Sequence, residues 1–325
     1  MISVHSGNGS ITFSRIDGRV QGAGILERSI MRGIQLTARA TLPFRFRGLS
    51  MATRMLTGPF AESEVRVELN DDATFSFPLN DGYWARLFER KDKYEEEIDL
   101  FLQHVASDNY RFVDCGANFG FWSVLASSRT YGAKQALAVE AASENFIRLK
   151  RNAALNGDRF STLHAAIAGS TGEAVRVYGS KHEALSIVPD GSSARGDAVT
   201  TISLDTLLSN SIGSSDCKPL LVKLDVEGAE IEALRGATNV MEAESLLICE
   251  EHGSDRDHLV TRHILRETPC QVFYYEQKAE KFERIFSFHQ LEQIKRRHWV
   301  GYNVFATGSE FWLDRLSSFR PPVGA

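Results

Sequence analysis

Phe112-Val113-Asp114-Cys115-Gly116-Ala117-Asn118-Phe119-Gly120 is an apolar run that ends on a carboxylate and then breaks into glycine twice. The run before it, from Arg111, reads as a short strand, and Phe121–Ser128 after it reads as a helix. Glycine at such a corner permits a tight turn and lets backbone or ligand approach closely. The helix beyond it offers unpaired N–H groups. The residue opening the turn is Asp114, where a dinucleotide fingerprint would have glycine. A carboxylate there repels a pyrophosphate and accepts an ammonium, a sulfonium or a ribose. A nicotinamide-dependent oxidoreductase on this kind of fold is therefore the weaker reading.

Outward from this corner, strand-like and helix-like runs alternate. Gln135–Glu140 reads as a strand, Ser143–Asn156 as a helix and Ser161–Ile167 as a third strand. Two or three short strands between Glu173 and Ser203 interrupt the rhythm, with a Gly/Ser/Asp-rich stretch at Pro189–Asp197. Leu220–Asp225 is the fourth strand and Ala229–Glu242 a helix; Leu246–Glu250 is the fifth strand, with a helix near Arg256–Glu267. Gln271–Tyr275 and Trp299–Thr307 supply the last strands. This alternation predicts an α/β, Rossmann-like, mostly parallel sheet covered by helices on both faces.

Two further strand ends carry charge. Glu140 closes the second strand 20 positions after Gly120, where Rossmann-like folds use an acid on the ribose hydroxyls; capping the next helix is a compatible alternative. Leu221-Val222-Lys223-Leu224-Asp225-Val226-Glu227-Gly228-Ala229-Glu230 delivers Asp225 to the carboxyl end of its strand, where open α/β sheets bind ligands. Complementing a helix N-terminus accounts for Glu230 and poorly for Asp225. Strand alternation places Lys223 and Asp225 on one face and Leu224 on the other. Glu250, Glu251 and His252 end the fifth strand and are expected to border the same cleft. Asp225 is the first candidate for base or acceptor orientation, with Lys223 holding it charged. His252 is a candidate base, a surface or capping role being the alternative. Asp225 and Glu227 alone make a poor metal site, so no metal is expected.

Asp-Cys-Gly-Ala-Asn-Phe-Gly at Asp114–Gly120 and Lys-Leu-Asp-Val-Glu-Gly-Ala-Glu at Lys223–Glu230 together resemble the FkbM family of methyltransferases. Lys93-Tyr94-Glu95-Glu96-Glu97, Leu204-Asp205 and Leu234-Arg235-Gly236-Ala237 support the resemblance, which runs from about Tyr94 to Thr307. The chain departs from it after the second strand, where Ala142-Ser143-Glu144-Asn145 stands in place of a common proline. The resemblance implies a seven-stranded class I methyltransferase sheet, with S-adenosylmethionine as cofactor and transfer usually to oxygen. Asp114, Gly116, Asn118 and Gly120 would surround its methionine part and Glu140 its ribose. Ala166 would lie near the adenine, and Asp225 would face the methyl group and acceptor. A small-molecule or saccharide hydroxyl is the expected acceptor; an RNA ribose methyltransferase and a cofactor-binding protein without turnover are the alternatives.

The whole chain agrees with this reading. Its 325 residues, 43% hydrophobic and 24% charged, are those of a folded α/β protein with a modest accessory segment. A formal charge of −5 disfavours a general nucleic-acid binder. No run approaches the ~20 apolar residues of a membrane span, and the N-terminus lacks a secretory pattern. Cys115, Cys217, Cys249 and Cys270 are scattered without a CxxC pair, which suggests buried thiols and a cytoplasmic setting. Ahead of the main domain, expected at 106–310, the hairpin signal of Val65–Phe77 and a helix at Lys93–His104 form a preface at 61–105; residues 311–325 read as a tail. Residues 1–60 read as a basic, amphipathic accessory segment. Between Arg32 and Ala61 it holds five arginines, the last of them Arg54, and no acid. A peripheral contact with an anionic surface through Arg32–Arg54, or accessory helices packed on the protein, would account for it.

Overall fold

The computed structural model describes residues 11–58, 63–181, 184–189, 196–211, 218–253, 255–294 and 301–321. The middle of the Gly/Ser/Asp-rich stretch, Cys217 and the first residues of the run at Trp299 lie outside the described residues. The chain divides into two compact units. One comprises residues up to Tyr94 together with Ala154–Gly157, and the other the remainder from Glu95.

The first unit holds β1 (Ile11–Ser14), β2 (Val20–Gln21), α1 (Ile25–Thr41), α2 (Leu49–Thr57), β3 (Glu64–Asn70) and β4 (Ala73–Pro78). The expected hairpin is present: β3 and β4 pair antiparallel around Asp71-Asp72, and alternation buries Val65, Val67, Phe75 and Phe77. β1 pairs parallel with β3 and buries Phe13 beside Phe88, ring centroids 5.5 Å apart. Helices alone were expected ahead of the hairpin. Strands of four and two residues are too short to register as a period.

The second unit begins with α3 (Glu96–His104) and continues through β5 (Arg111–Cys115), α4 (Phe121–Ala126), β6 (Gln135–Glu140), α5 (Ser143–Leu155) and β7 (Phe160–His164). The boundary at Tyr94 thus assigns α3 to this unit rather than to a preface. Its Phe101 packs edge-on to Phe305 and lies 6.2 Å from Trp312, which holds it there. The run expected as one third strand is two. Past His164 the chain enters β8 (Ala166–Ile167), which joins a separate sheet with β9 (Ala174–Lys181), β10 (Ala184–Pro189) and β11 (Asp197–Ile202), in the order β10-β9-β11-β8.

After α6 (Leu204–Ser211) the chain returns to the main sheet as β12 (Leu220–Leu224). The helix expected over Ala229–Glu242 is split into α7 (Glu230–Arg235) and α8 (Thr238–Glu242). Gly236 marks the break, where a Cβ would stand 2.6 Å from the Ala168 carbonyl oxygen. There follow β13 (Ser245–Glu251), α9 (Leu259–Glu267), β14 (Gln271–Glu276), β15 (Lys281–Ile285), α10 (Phe288–Ile294), β16 (Tyr302–Thr307) and α11 (Glu310–Ser318). Residues expected as a tail therefore form α11, because Trp312, Leu316 and Phe319 find buried places.

The main sheet runs β15-β14-β16-β13-β12-β5-β6-β7. The contiguous β13-β12-β5-β6-β7 are parallel, and β16 is antiparallel to β13. It is the mostly parallel α/β sheet expected, with eight strands instead of seven. The additional one is β15, the hairpin partner of β14, which the sequence reading passed over. From β5 the chain builds outward through β6 and β7, then crosses back to lay β12 on the other side of β5. The order reverses between β5 and β12. The carboxyl ends of strands at such a reversal leave a crevice for ligands.

Candidate active site

The β5–α4 corner is shaped by its neighbours. Gly116 has φ +77°, and a Cβ there would stand 1.7 Å from the Asp225 carbonyl oxygen. Only glycine lets the two strand ends close on each other, and the Asp225 N–H completes the junction by donating to the Cys115 carbonyl at 3.1 Å. The N–H groups of Gly116 and Ala117 both donate to the Val139 carbonyl at 2.9 Å. Gly120, φ +88°, faces Leu149, whose Cδ1 would lie 2.5 Å from a Cβ. Protein packing thus accounts for both glycines.

Asp114 is buried. Its Oδ2 accepts from the Ser123 hydroxyl at 2.7 Å and the Ser123 N–H at 3.2 Å, while its Oδ1 has no hydrogen-bond partner among the described residues. Burial raises its pKa, against the opposing pull of Lys223. Lys223 stands opposite Asp114 in the parallel register and so shares its face of the sheet.

Glu140 turns back over the corner. Its Oε2 accepts from the Asn118 N–H at 2.8 Å and its Oε1 from the Ala142 N–H at 2.8 Å. Both readings of this residue, ligand acceptor and cap, stay compatible, since each carboxylate oxygen can accept a second bond. Burial pushes Glu140 up to about 7, against those backbone donors. Ala166 lies in the small sheet, not the main one, yet packs in one apolar group with Ala142. The two sheets are tied here by the Ala165 N–H, which donates to the Glu140 carbonyl at 3.2 Å.

At the end of β12, Lys223 Nζ sits 2.7 Å from Asp225 Oδ2, and Leu224 on the opposite face is in the core. Burial alone would lower the Lys223 pKa, but Asp225, Glu95 and Asp114 outweigh it and raise it well above its ordinary value. Burial alone would raise Asp225; Lys223 and a hydrogen bond with Glu250 hold it below the usual carboxylate range. Burial and the Asp225 charge push Glu250 up to about 10. Glu250 therefore carries the proton that Asp225 lacks. His252 is exposed. Glu230 has a structural task, its carboxylate accepting from the N–H groups of Val226 and Gly228.

Glu251 does not border this cleft. A strand's period of two turns it to the opposite face, where the N–H and hydroxyl of Thr261 donate to its Oε2 at 2.8 and 2.6 Å. In its place the site gains residues that the sequence reading did not assign. Glu95, at φ +45°, accepts from Trp122 Nε1 at 2.6 Å and from Asn303 Nδ2 at 3.1 Å. Asn303 also donates to Glu97 Oε1 at 2.8 Å, and it lies opposite Glu250 in the register of β13 and β16. The available signal was the acid run Glu95-Glu96-Glu97, which reads equally well as helix N-terminal charge. Asp114, Glu95 and Asp225 thus act on a single buried cation, Lys223, whose charge in turn opposes the rise at Glu250. Among the described residues no group of three or more His, Cys, Asp or Glu is placed to hold a metal.

Residues 114–289 match the methyltransferase FkbM domain. Among curated proteins, the hexuronic acid methyltransferase AglP of Haloferax volcanii is 28% identical over 162 residues, 49% of this chain and 62% of that protein. The chain thus spans less than two thirds of this relative's length. Among solved structures, the methyltransferase FkbM of Methylobacillus flagellatus KT superposes with a TM-score of 0.40 at 19% identity, over 61% of this chain and 44% of that one. The N-terminal domain of human METTL16 in complex with SAH gives 0.36 at 13% identity, over 79% and 81%.

Proposed function

The chain belongs to the FkbM methyltransferase family, and from that premise we propose that it transfers the methyl group of S-adenosylmethionine to a hydroxyl oxygen, with a saccharide as the acceptor. The observation that carries the cofactor is the excess of carboxylate where the strand order reverses, Asp114 buried and Glu95 and Asp225 half-buried. Three acids, Asp114, Glu95 and Asp225, act on one lysine with protonated Glu250 beside them, and Asp114 Oδ1 has acceptor capacity to spare. That surplus suits a ligand bearing an ammonium and a sulfonium and repels a pyrophosphate. On this reading Asp114 and Glu95 would take the ammonium end, Glu140 the ribose hydroxyls, and the apolar Ala142 and Ala166 the flat face of the adenine. The saccharide acceptor rests on the archaeal relative, whose name specifies a hexuronic acid.

When bound, the cofactor supplies a methyl carbon on a positively charged sulfur, so the leaving group needs no proton. The chain's own residues have three tasks. Lys223 keeps Asp225 ionised, which makes Asp225 a weak base and a strong hydrogen-bond acceptor. Asp225 orients the acceptor hydroxyl, and alignment of this kind is worth ~7–11 kcal/mol in favourable cases. Glu250, protonated, cannot take the hydroxyl proton and instead steadies Asp225. His252, exposed at the end of β13, takes the proton to solvent.

Titration calorimetry with S-adenosylmethionine, NAD and a single-stranded RNA oligomer tests this reading. Binding of the first alone is expected. NAD binding without S-adenosylmethionine would return the chain to the oxidoreductase reading, and RNA binding would replace the saccharide with a ribose.

A further inference from the structure

The outer faces of α1 and α2 carry a charge pattern unlike the rest of the molecule. Between Arg28 and Gly58 there are six arginines and no acidic side chain, in a chain of formal charge −5. Of the twelve large apolar side chains exposed among the described residues, seven lie between Ile25 and Leu56. A scattered exposed leucine needs no explanation, but a concentration of this kind does.

The pattern is ordered by the helices. In α1, Met31, Ile34 and Ala38 are buried, and the opposite stripe runs Ile25, Arg32, Leu36, Arg39, at steps of seven, four and three. In α2, Leu49, Thr53 and Thr57 are buried, and the outward positions are Met51, Arg54 and Met55. Phe44, Arg45 and Arg47 are exposed in the segment joining the two helices. Each helix therefore spends one face on its own unit and presents a second face in which apolar and guanidinium groups alternate. Such a face suits the boundary of a bilayer, where apolar side chains enter the acyl region and arginines meet lipid phosphates. Single-stranded nucleic acid calls instead for stacked aromatics. Phe44 is the one exposed aromatic ring here, beside aliphatic and thioether groups.

We propose that the outer faces of α1 and α2 form a docking surface for an anionic lipid bilayer, holding the protein peripherally at a membrane. The contact is peripheral because, among the described residues, no helix is long and apolar enough to cross a membrane. It has two parts: a salt-sensitive attraction of roughly fivefold in affinity per arginine near the surface, and a salt-resistant part from the inserted side chains.

Co-sedimentation of the full chain with large vesicles tests it. Vesicles of phosphatidylglycerol and phosphatidylcholine in equal parts are expected to bind the protein, and pure phosphatidylcholine far less. The double variant Arg39→Glu/Arg54→Glu is expected to weaken binding to anionic vesicles at least ~25-fold. Leu36→Ser/Met55→Ser should lose chiefly the binding that survives ~1 M salt, where the screening length falls to about 3 Å. All four positions are exposed, so unchanged thermal melts are expected to accompany these losses. Equal binding to both vesicle types overturns the proposal, as does retained affinity in both variants. Binding to a single-stranded RNA oligomer with none to vesicles would reassign the face to nucleic acid. Because the readout is vesicle binding, these outcomes are distinct from any failure of the methyl-transfer reading.

Discussion

Two buried polar networks occupy the carboxyl end of β13 and the adjoining amino end of the antiparallel β16, one on each face of the sheet. On one face, Glu250 and Asn303 meet Lys223, Asp225, Asp114 and Glu95. On the other, Glu251 meets Thr261, and Tyr302 links Thr261 to His258, with Tyr302 Oη 2.8 Å from His258 Nδ1. In the first, Asp114 Oδ1 has no hydrogen-bond partner among the described residues, and in the second, Asp255 stands against Glu251. They differ in how charge is balanced. Glu251 is pushed up to about 7 by burial and meets mildly acid solution as a neutral group. Across the sheet, Lys223 keeps Asp225 ionised amid further acids. Burial is common to both networks, and the enforced charge is what makes the one at Lys223 the candidate site.

The sharpest way to break the comparison is Asp225→Asn. It keeps the shape and removes the enforced charge, and methyl transfer from labelled cofactor is expected to fall ~10²-fold while calorimetric cofactor affinity changes little. Unchanged transfer would put the chemistry elsewhere. Lys223→Met removes the cation and leaves its acids facing one another. A loss of about 3–5 kcal/mol in urea unfolding at neutral pH is expected, recovering as acidification neutralises the carboxylates. If stability is unchanged at neutral pH, Lys223 is not what balances them.

Glu140→Gln should weaken cofactor binding roughly 10–100-fold, the worth of one or two hydrogen bonds to a charged acceptor. In the wild-type protein the ribose hydroxyls favour the carboxylate, so affinity should decline as pH falls below about 7, where Glu140 takes up a proton. A flat affinity from pH 5.5 to 8 would remove Glu140 from the ribose. Glu251→Gln supplies the control on the far face. The folded pKa of Glu251 is raised from 4.5 to about 7, so the folded state holds a proton that the unfolded chain has released. Stability from this group is full below about 4.5 and is lost as pH rises through about 7, by up to roughly 3 kcal/mol. The variant is expected to remove that share of the slope and leave methyl transfer alone. A drop in transfer comparable with that of Asp225→Asn would merge the two networks into one site.

Legibility followed distance along the chain. Asp114 to Gly120 and Lys223 to Asp225 could be read directly, because a strand-to-helix corner is local and its chemistry is written in consecutive residues. The pairing of Lys223 with Asp225 followed from a period of two. The same period turns Glu251 away from Glu250, and grouping them as one strand end concealed this. Glu95 could not be assigned from its surroundings, since the bond that places it spans 208 residues to Asn303. The helix at Glu310–Ser318 was likewise hidden. Its Trp312 is satisfied by Tyr110 and Phe101, which only the folded sheet brings within 5.4 and 6.2 Å.

Consecutive residues were enough to establish an α/β chain with a carboxylate-led glycine corner, an acid closing the second strand and a lysine–aspartate pair at the fourth. Each of these depends on backbone geometry within a few positions, and composition adds the absence of a span-length apolar run. Folding settled which acids share Lys223, which side of β13 each glutamate faces, and where the arginine-rich helices leave their apolar side chains exposed. Electrostatic balance and burial depend on distances through space, and the strand order that sets those distances is written nowhere in the local sequence.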